Sequence, residues 1–177
     1  MSKNRKYEKL RKITNDSIPN EVLTKLNRLG FFEAPASSCN HLAVSGGLYK
    51  HSVNVTLNLI DLTNNMKLKW QRPESPWIVG LFHDLCKCDC YEWVYGDDEY
   101  KHNDETLFKG HGVKSVMIAS TIMQLTEEEV ACITYHMGAF ADKEEWLDYT
   151  RAIHKYPNVL WTHTADMMAT HIDEVGM

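Results

Sequence analysis

Apolar residues recur at helical spacing through most of the chain. Val22, Leu23, Leu26 and Leu29 form a short amphipathic stripe that Gly30 stops. Residues 31–47 carry no such period and read as a long loop, punctuated by Pro35, Ser37, Ser38, Asn40 and Gly46-Gly47. Val53, Leu57 and Ile60 then mark a helix over 48–66. Pro73 and Pro76 open the next helix, where a missing N–H costs nothing, and the apolar run from Trp77 carries it to about Lys87. The period changes over 91–100. Aromatics and Val94 there flank Gly96-Asp97-Asp98, which predicts a small β-hairpin.

Beyond the hairpin the helical spacing returns. Val113, Val116, Met117 and Ser120 share one face of a helix over 109–124. Thr126, with Glu129 three residues on, predicts a capping box that opens a helix running to about Met137. Residues 142–155 are acidic and aromatic and suit a short helix or lid. Pro157 precedes the last helix, 158–174. The expected fold is all-α, a helical bundle with one β-hairpin. It forms a single domain over 1–177, with 1–30 as an N-terminal helical extension and 31–177 as the core.

Composition narrows the function classes. A chain of 177 residues can bury one sizeable core. Its net charge of −5 argues against wholesale electrostatic capture of nucleic acid, so a polymer partner is not favoured. The first twelve residues are an exception, with Lys3, Arg5, Lys6, Lys9, Arg11 and Lys12 against Glu8. They read as a solvated tail or helix face. No apolar run approaches the ~18 residues of a membrane span, and the N-terminus is too polar for a secretory signal. Five cysteines is an odd count, which favours reduced thiols and a cytoplasmic protein. Cys86, Cys88 and Cys90 lack a second pair at finger spacing, so they read as small side chains at a helix end rather than a zinc site.

The chemistry concentrates in His83-Asp84. The pair closes an apolar run, where two polar side chains are costly to desolvate unless something pairs with them. A divalent metal does so. Further candidate ligands stand on or beside apolar helical segments: His51, His111, His136 and Asp166. A bundle can point all six inward to one place. Imidazole nitrogens and carboxylate oxygens suit iron, manganese, cobalt, nickel or zinc. Four such ligands hold one ion, and six with a bridging carboxylate hold two, about 3.5–4 Å apart. His102, His154, His163 and His171 are left as structural.

The ordered set His51, His83-Asp84, Asp166 resembles the defining residues of the HD-domain superfamily of metal-dependent phosphohydrolases, over about 31–170. His83-Asp84-Leu85-Cys86-Lys87 is similar to the family's His-Asp-apolar-Gly-Lys string. Cys86 stands where Gly is usual, a change expected to matter little. His111 and His136 match the extra ligands of the binuclear branch, but the Gly-Tyr-Pro signature of the cyclic-dinucleotide phosphodiesterases is absent. Residues 34–52 resemble the segment before the first ligand in HD-domain 3′–5′ exoribonucleases and related bacterial and phage proteins.

The resemblance implies one ion on His51, His83, Asp84 and Asp166, and a second on Asp84, His111 and His136. It implies that a metal-activated water attacks phosphorus, with Asp84 and Lys87 in the catalytic role and Lys87 neutralising phosphate charge. The alternative for Lys87 is an ion pair at a helix end. His41 is a candidate phosphate contact, and the hairpin around Trp93–Tyr100 with the segment Phe140–Tyr156 is the expected rim. The expected substrate is a nucleotide phosphomonoester or a small phosphodiester. Two other readings stand beside it: a di-iron oxygenase of the same superfamily, and a non-catalytic nucleotide-binding module.

Overall fold

The computed structural model describes residues 2–39, 42–96, 98–140 and 142–176. It is mostly helical, with one two-stranded antiparallel sheet. Helices α1 (Lys3–Ile13) and α2 (Asn20–Arg28) lead into an irregular stretch, and α3 (Gly47–Met66) follows. Then come α4 (Ser75–Phe82), the single-turn α5 (Lys87–Cys90), β1 (Tyr91–Val94), β2 (Glu99–His102), α6 (His111–Ile122) and α7 (Glu127–Thr134). The chain ends with α8 (Trp146–Lys155) and α9 (Asn158–Met168), which widens into a π-helical turn over Ala169–Asp173. Among the described residues no helix is long and apolar enough to cross a membrane.

The long α3 is the spine. It packs chiefly against α4 and α9, and α7 closes the group against α4, α6 and α9. Leu48, Leu59, Ile78, Leu81, Phe82 and Leu85 are fully buried between these helices. Leu10 of α1 and Val22, Leu23 and Leu26 of α2 join the same apolar cluster. Burying one such side chain stabilises by roughly 1.5–3 kcal/mol, so the N-terminal helices are held by packing rather than by propensity.

The turn into α3 depends on glycine. Gly46 adopts φ +81°, and a Cβ on Gly47 would lie 2.0 Å from the Leu42 carbonyl oxygen. Gly112 plays a similar part in α6, since a Cβ there would meet the Thr134 carbonyl oxygen at 2.0 Å. That approach brings the start of α6 against the end of α7.

Three boundaries differ from the sequence reading. The helix expected to reach Lys87 ends at Phe82. The backbone then tightens into three-residue turns, with Leu85 N–H bonding Phe82 O at 3.2 Å and Lys87 N–H bonding Asp84 O at 2.9 Å. The helix expected to reach Met137 ends at Thr134. The hairpin extends to His102, in the register Tyr91↔His102 and Val94↔Glu99. Asp97 and His41 lie outside the described residues.

Candidate metal centre

Each candidate ligand sits at an element end or beside one, where backbone groups are free to orient it. His51 is in the first turns of α3. His83 and Asp84 occupy the tightened turns after α4. His111 opens α6, His136 follows α7, and Asp166 lies in α9. The structure brings all six together. Five are buried, and His111 is partly exposed.

Asp84 is the centre of this arrangement, and its two oxygens face different histidine pairs. Oδ2 lies 3.6 Å from His51 Nε2 and 3.5 Å from His83 Nε2. Oδ1 lies 2.5 Å from His111 Nε2 and 3.5 Å from His136 Nε2. Asp166 Oδ1 joins the first pair, 3.2 Å from His51 Nε2. His51 and His83 Nε2 converge to 3.2 Å.

The remote ring nitrogens fix which lone pairs face inward. His83 Nδ1 donates to Gly80 O at 2.9 Å, and His136 Nδ1 donates to Ile133 O at 2.8 Å. Both Nε2 atoms are therefore bare in the neutral ring. His136 Nε2 is fully buried and makes no hydrogen bond among the described residues. A buried polar atom without a partner costs about 1–3 kcal/mol, and a cation at that point satisfies it. This donor chemistry fits a borderline divalent ion, and three overlapping groups among the described residues, His51-His83-Asp84, His83-His136-Asp166 and Asp84-Cys86-His111, could each hold one.

Supporting residues that the sequence did not single out hold this shell. Glu174, 1% exposed, accepts from His51 Nδ1 through both carboxylate oxygens at 3.2 Å and from Asn54 Nδ2 at 2.9 Å. A carboxylate behind a ligating imidazole fixes its tautomer and raises its basicity. His163 Nδ1 donates to His136 O at 2.9 Å, which anchors the turn bearing that ligand. Cys86 Sγ lies 3.6 Å from Nδ1 of the candidate ligand His111. A buried Glu so far along the chain carries no local signature, and only the fold brings it to His51.

Charge balance explains the protonation of the metal-free site. Burial pushes Asp84 up, but Lys87, His83 and His111 outweigh it and hold the carboxyl well below its ordinary range. Asp166 is likewise depressed, with His51 and His83 overcoming burial. Burial pulls His51 down, yet Asp166, Glu174 and Asp84 raise it to about 9. Lys87 Nζ sits 2.7 Å from Asp84 Oδ2. Burial lowers its pKa, but Asp84 more than compensates and keeps it above the usual ammonium range. Lys87 thus forms an ion pair with Asp84, a candidate ligand.

The cleft at this site has a volume of about 400 Å3. His51, Asp84, Lys87, His111 and Asp166 form its floor, and Ser37, Tyr91, Met137, Phe140, Met167 and His171 contribute to its walls. The expected rim is only partly realised. Among the described residues expected there, only Phe140 lines the cleft, the hairpin reaching it instead through Tyr91, and Arg151 and Lys155 line a separate depression with Tyr135 and Tyr156. The Lys155 ammonium pairs there with Glu127. Comparison with protein-family models, with curated proteins and with solved structures finds no match to the chain.

Proposed function

We propose that the chain is an HD-domain phosphohydrolase that uses two divalent transition-metal ions to cleave a nucleotide phosphomonoester or small phosphodiester. The observation that carries this reading is Asp84, with one oxygen toward His51 and His83 and the other toward His111 and His136. A carboxylate between two imidazole pairs is the donor set a bridged ion pair needs. His51, His83, Asp84 and Asp166 would hold one ion, and Asp84, His111 and His136 the other. When bound, such ions supply Lewis acidity toward phosphoryl oxygens and activate the attacking water.

The protein's own groups do the rest. Glu174 keeps the His51 ring turned with Nε2 toward the centre. Asp84 and Asp166 stay ionised across the working pH range and balance incoming cations. Lys87, paired with Asp84 Oδ2 at 2.7 Å, would present its ammonium to a phosphate in the cleft, where a charged donor is worth far more than in water. The cleft volume of about 400 Å3 falls in the range of small-ligand pockets, and Phe140 and Met137 give it an apolar wall suited to a nucleobase.

The test is hydrolysis by wild-type and Asp84→Asn protein reconstituted with Mn2+. The panel holds a generic phosphodiester, nucleoside mono- and triphosphates, cyclic nucleotides and a short RNA. Metal-dependent turnover that vanishes in the variant supports the reading and names the substrate class. Silence from metal-loaded protein overturns it, and O2 uptake then separates an oxygenase from a binding module.

A further inference from the structure

A cysteine cluster borders the site, and the proposed hydrolysis makes no use of it. Cys86 caps α5 and Cys90 ends it, so the two thiols stand four residues apart on a single helical turn and influence one another electrostatically. Cys86 Sγ also faces His111 Nδ1 at 3.6 Å, and its backbone N–H is tied to Ser115 Oγ at 3.1 Å. Cys90 is partly exposed. Lys114 Nζ lies 3.7 Å from Cys90 Sγ and 2.5 Å from Asp89 Oδ1, and Lys114 as a residue is buried. A fixed cation beside an accessible sulfur favours the thiolate, the form that attacks peroxides. A second thiol one helical turn away is the resolving group such a sulfur needs.

We propose that Cys90 and Cys86 are a peroxide-oxidisable pair, whose disulfide releases His111 from Cys86 and weakens cation binding at the Asp84–His111 end of the site. The second half rests on the metal reading above; the pairing does not. The Cys90 thiolate attacks a hydroperoxide, the O–O bond breaks, the sulfur becomes a sulfenic acid, and an alkoxide or hydroxide leaves and takes a proton from solvent. The Cys86 sulfur then attacks that sulfenic sulfur. The S–S bond forms, the S–O bond breaks, and hydroxide departs as water with the Cys86 proton.

Residues four apart on a helix have Cβ atoms about 5–6 Å apart, and a disulfide needs about 3.5–4.5 Å. Closing the bond therefore draws the single turn of α5 inward by roughly 1–2 Å. The same turn starts at Lys87, three residues past Asp84. As Cys86 Sγ moves, His111 Nδ1 loses its acceptor and the ring its orientation.

The experiment treats reduced, metal-free protein with hydrogen peroxide, alkylates the remaining thiols and maps the peptides by mass spectrometry. Mn2+ is then titrated into the oxidised protein, the reduced protein and oxidised protein re-reduced with dithiothreitol. The expected map shows Cys86 joined to Cys90. The link forms more slowly in Lys114→Met and not at all in Cys90→Ser. Cys86→Ser stops at a sulfenic acid that dimedone captures. Oxidation weakens the second class of Mn2+ sites about tenfold or more, as loss of an outer-shell partner does, and dithiothreitol restores it. Cys90→Ser binds Mn2+ like the wild type and is indifferent to peroxide. Other thiol pairings, or both thiols surviving while Cys39 is oxidised, overturn the proposal. So does a Cys86–Cys90 link with unchanged Mn2+ binding. A reduced protein that binds no Mn2+ overturns the metal reading and the second half with it, while the thiol map still decides the pairing.

Discussion

Replacing Glu174 by Gln probes the site from behind. The variant keeps the side chain's volume and one carbonyl acceptor but removes the charge facing His51 Nδ1. In the metal-free protein a charge-assisted hydrogen bond becomes a neutral one, a loss of about 1–1.5 kcal/mol. His51, now held at about 9 with Glu174 among the causes, should titrate closer to its ordinary value. Outer-shell partners of ligating histidines typically contribute 10–100-fold in metal affinity, or about 1.4–2.8 kcal/mol. Calorimetric titration of Mn2+ into wild-type and Glu174→Gln protein reads this directly, and NMR of the His51 ring reads its pKa. An affinity within about twofold of wild type in a folded variant, against the expected 10–100-fold, would refute the orienting role and leave Glu174 as packing.

Asp84→Asn should abolish metal-dependent turnover and lower ion content, because it weakens a ligand shared by both histidine pairs; unchanged metal content measured by atomic emission would contradict that. Lys87→Met should leave ion content unaltered but reduce kcat on the order of 10²-fold, and an equal loss of bound ions would instead make Lys87 a structural partner of Asp84. The metal-free protein should also show a defined stability profile against pH. His51 is raised from 6.5 to about 9, so its contribution, roughly 3 kcal/mol at most, is complete below pH 6.5 and disappears as pH climbs through 9. Asp84 and Asp166 are depressed below 3.8, so theirs is complete above that value and is lost in stronger acid. Urea midpoints should therefore be highest between those limits, and a rise from pH 7 to 9 would be evidence against a charged, carboxylate-bound His51.

The parts of this architecture written in local pattern were legible in the sequence. The capping box is one: Glu129 N–H donates to Thr126 Oγ1 at 3.2 Å, and Thr126 N–H donates to Glu129 Oε2 at 2.8 Å. The same Glu129 also receives Arg72 and Ser75, contacts that no local pattern contains. The end of α4 was hidden for a related reason. Leu85 and Cys86 continue the apolar run, and the chain tightens there because His83 and Asp84 must turn into the site. The clustering of His51, His83, Asp84, His111, His136 and Asp166 could be anticipated because each is a polar side chain on or beside an apolar helical segment. Glu174 and His163 could not, since their roles arise only where the C-terminal turn meets α3 and where α9 meets the turn after α7. Cys86 was visible, but its contact with His111 arises only where the turn after α4 meets the start of α6.

The central claim is that Asp84 stands between two cation sites. The most direct test is the number of Mn2+ ions bound per chain, measured by atomic emission after reconstitution, in wild-type and His136→Ala protein of equal secondary structure. The account predicts two ions in the wild type and one in the variant. A wild-type protein that binds none, or a variant that still binds two, would contradict it.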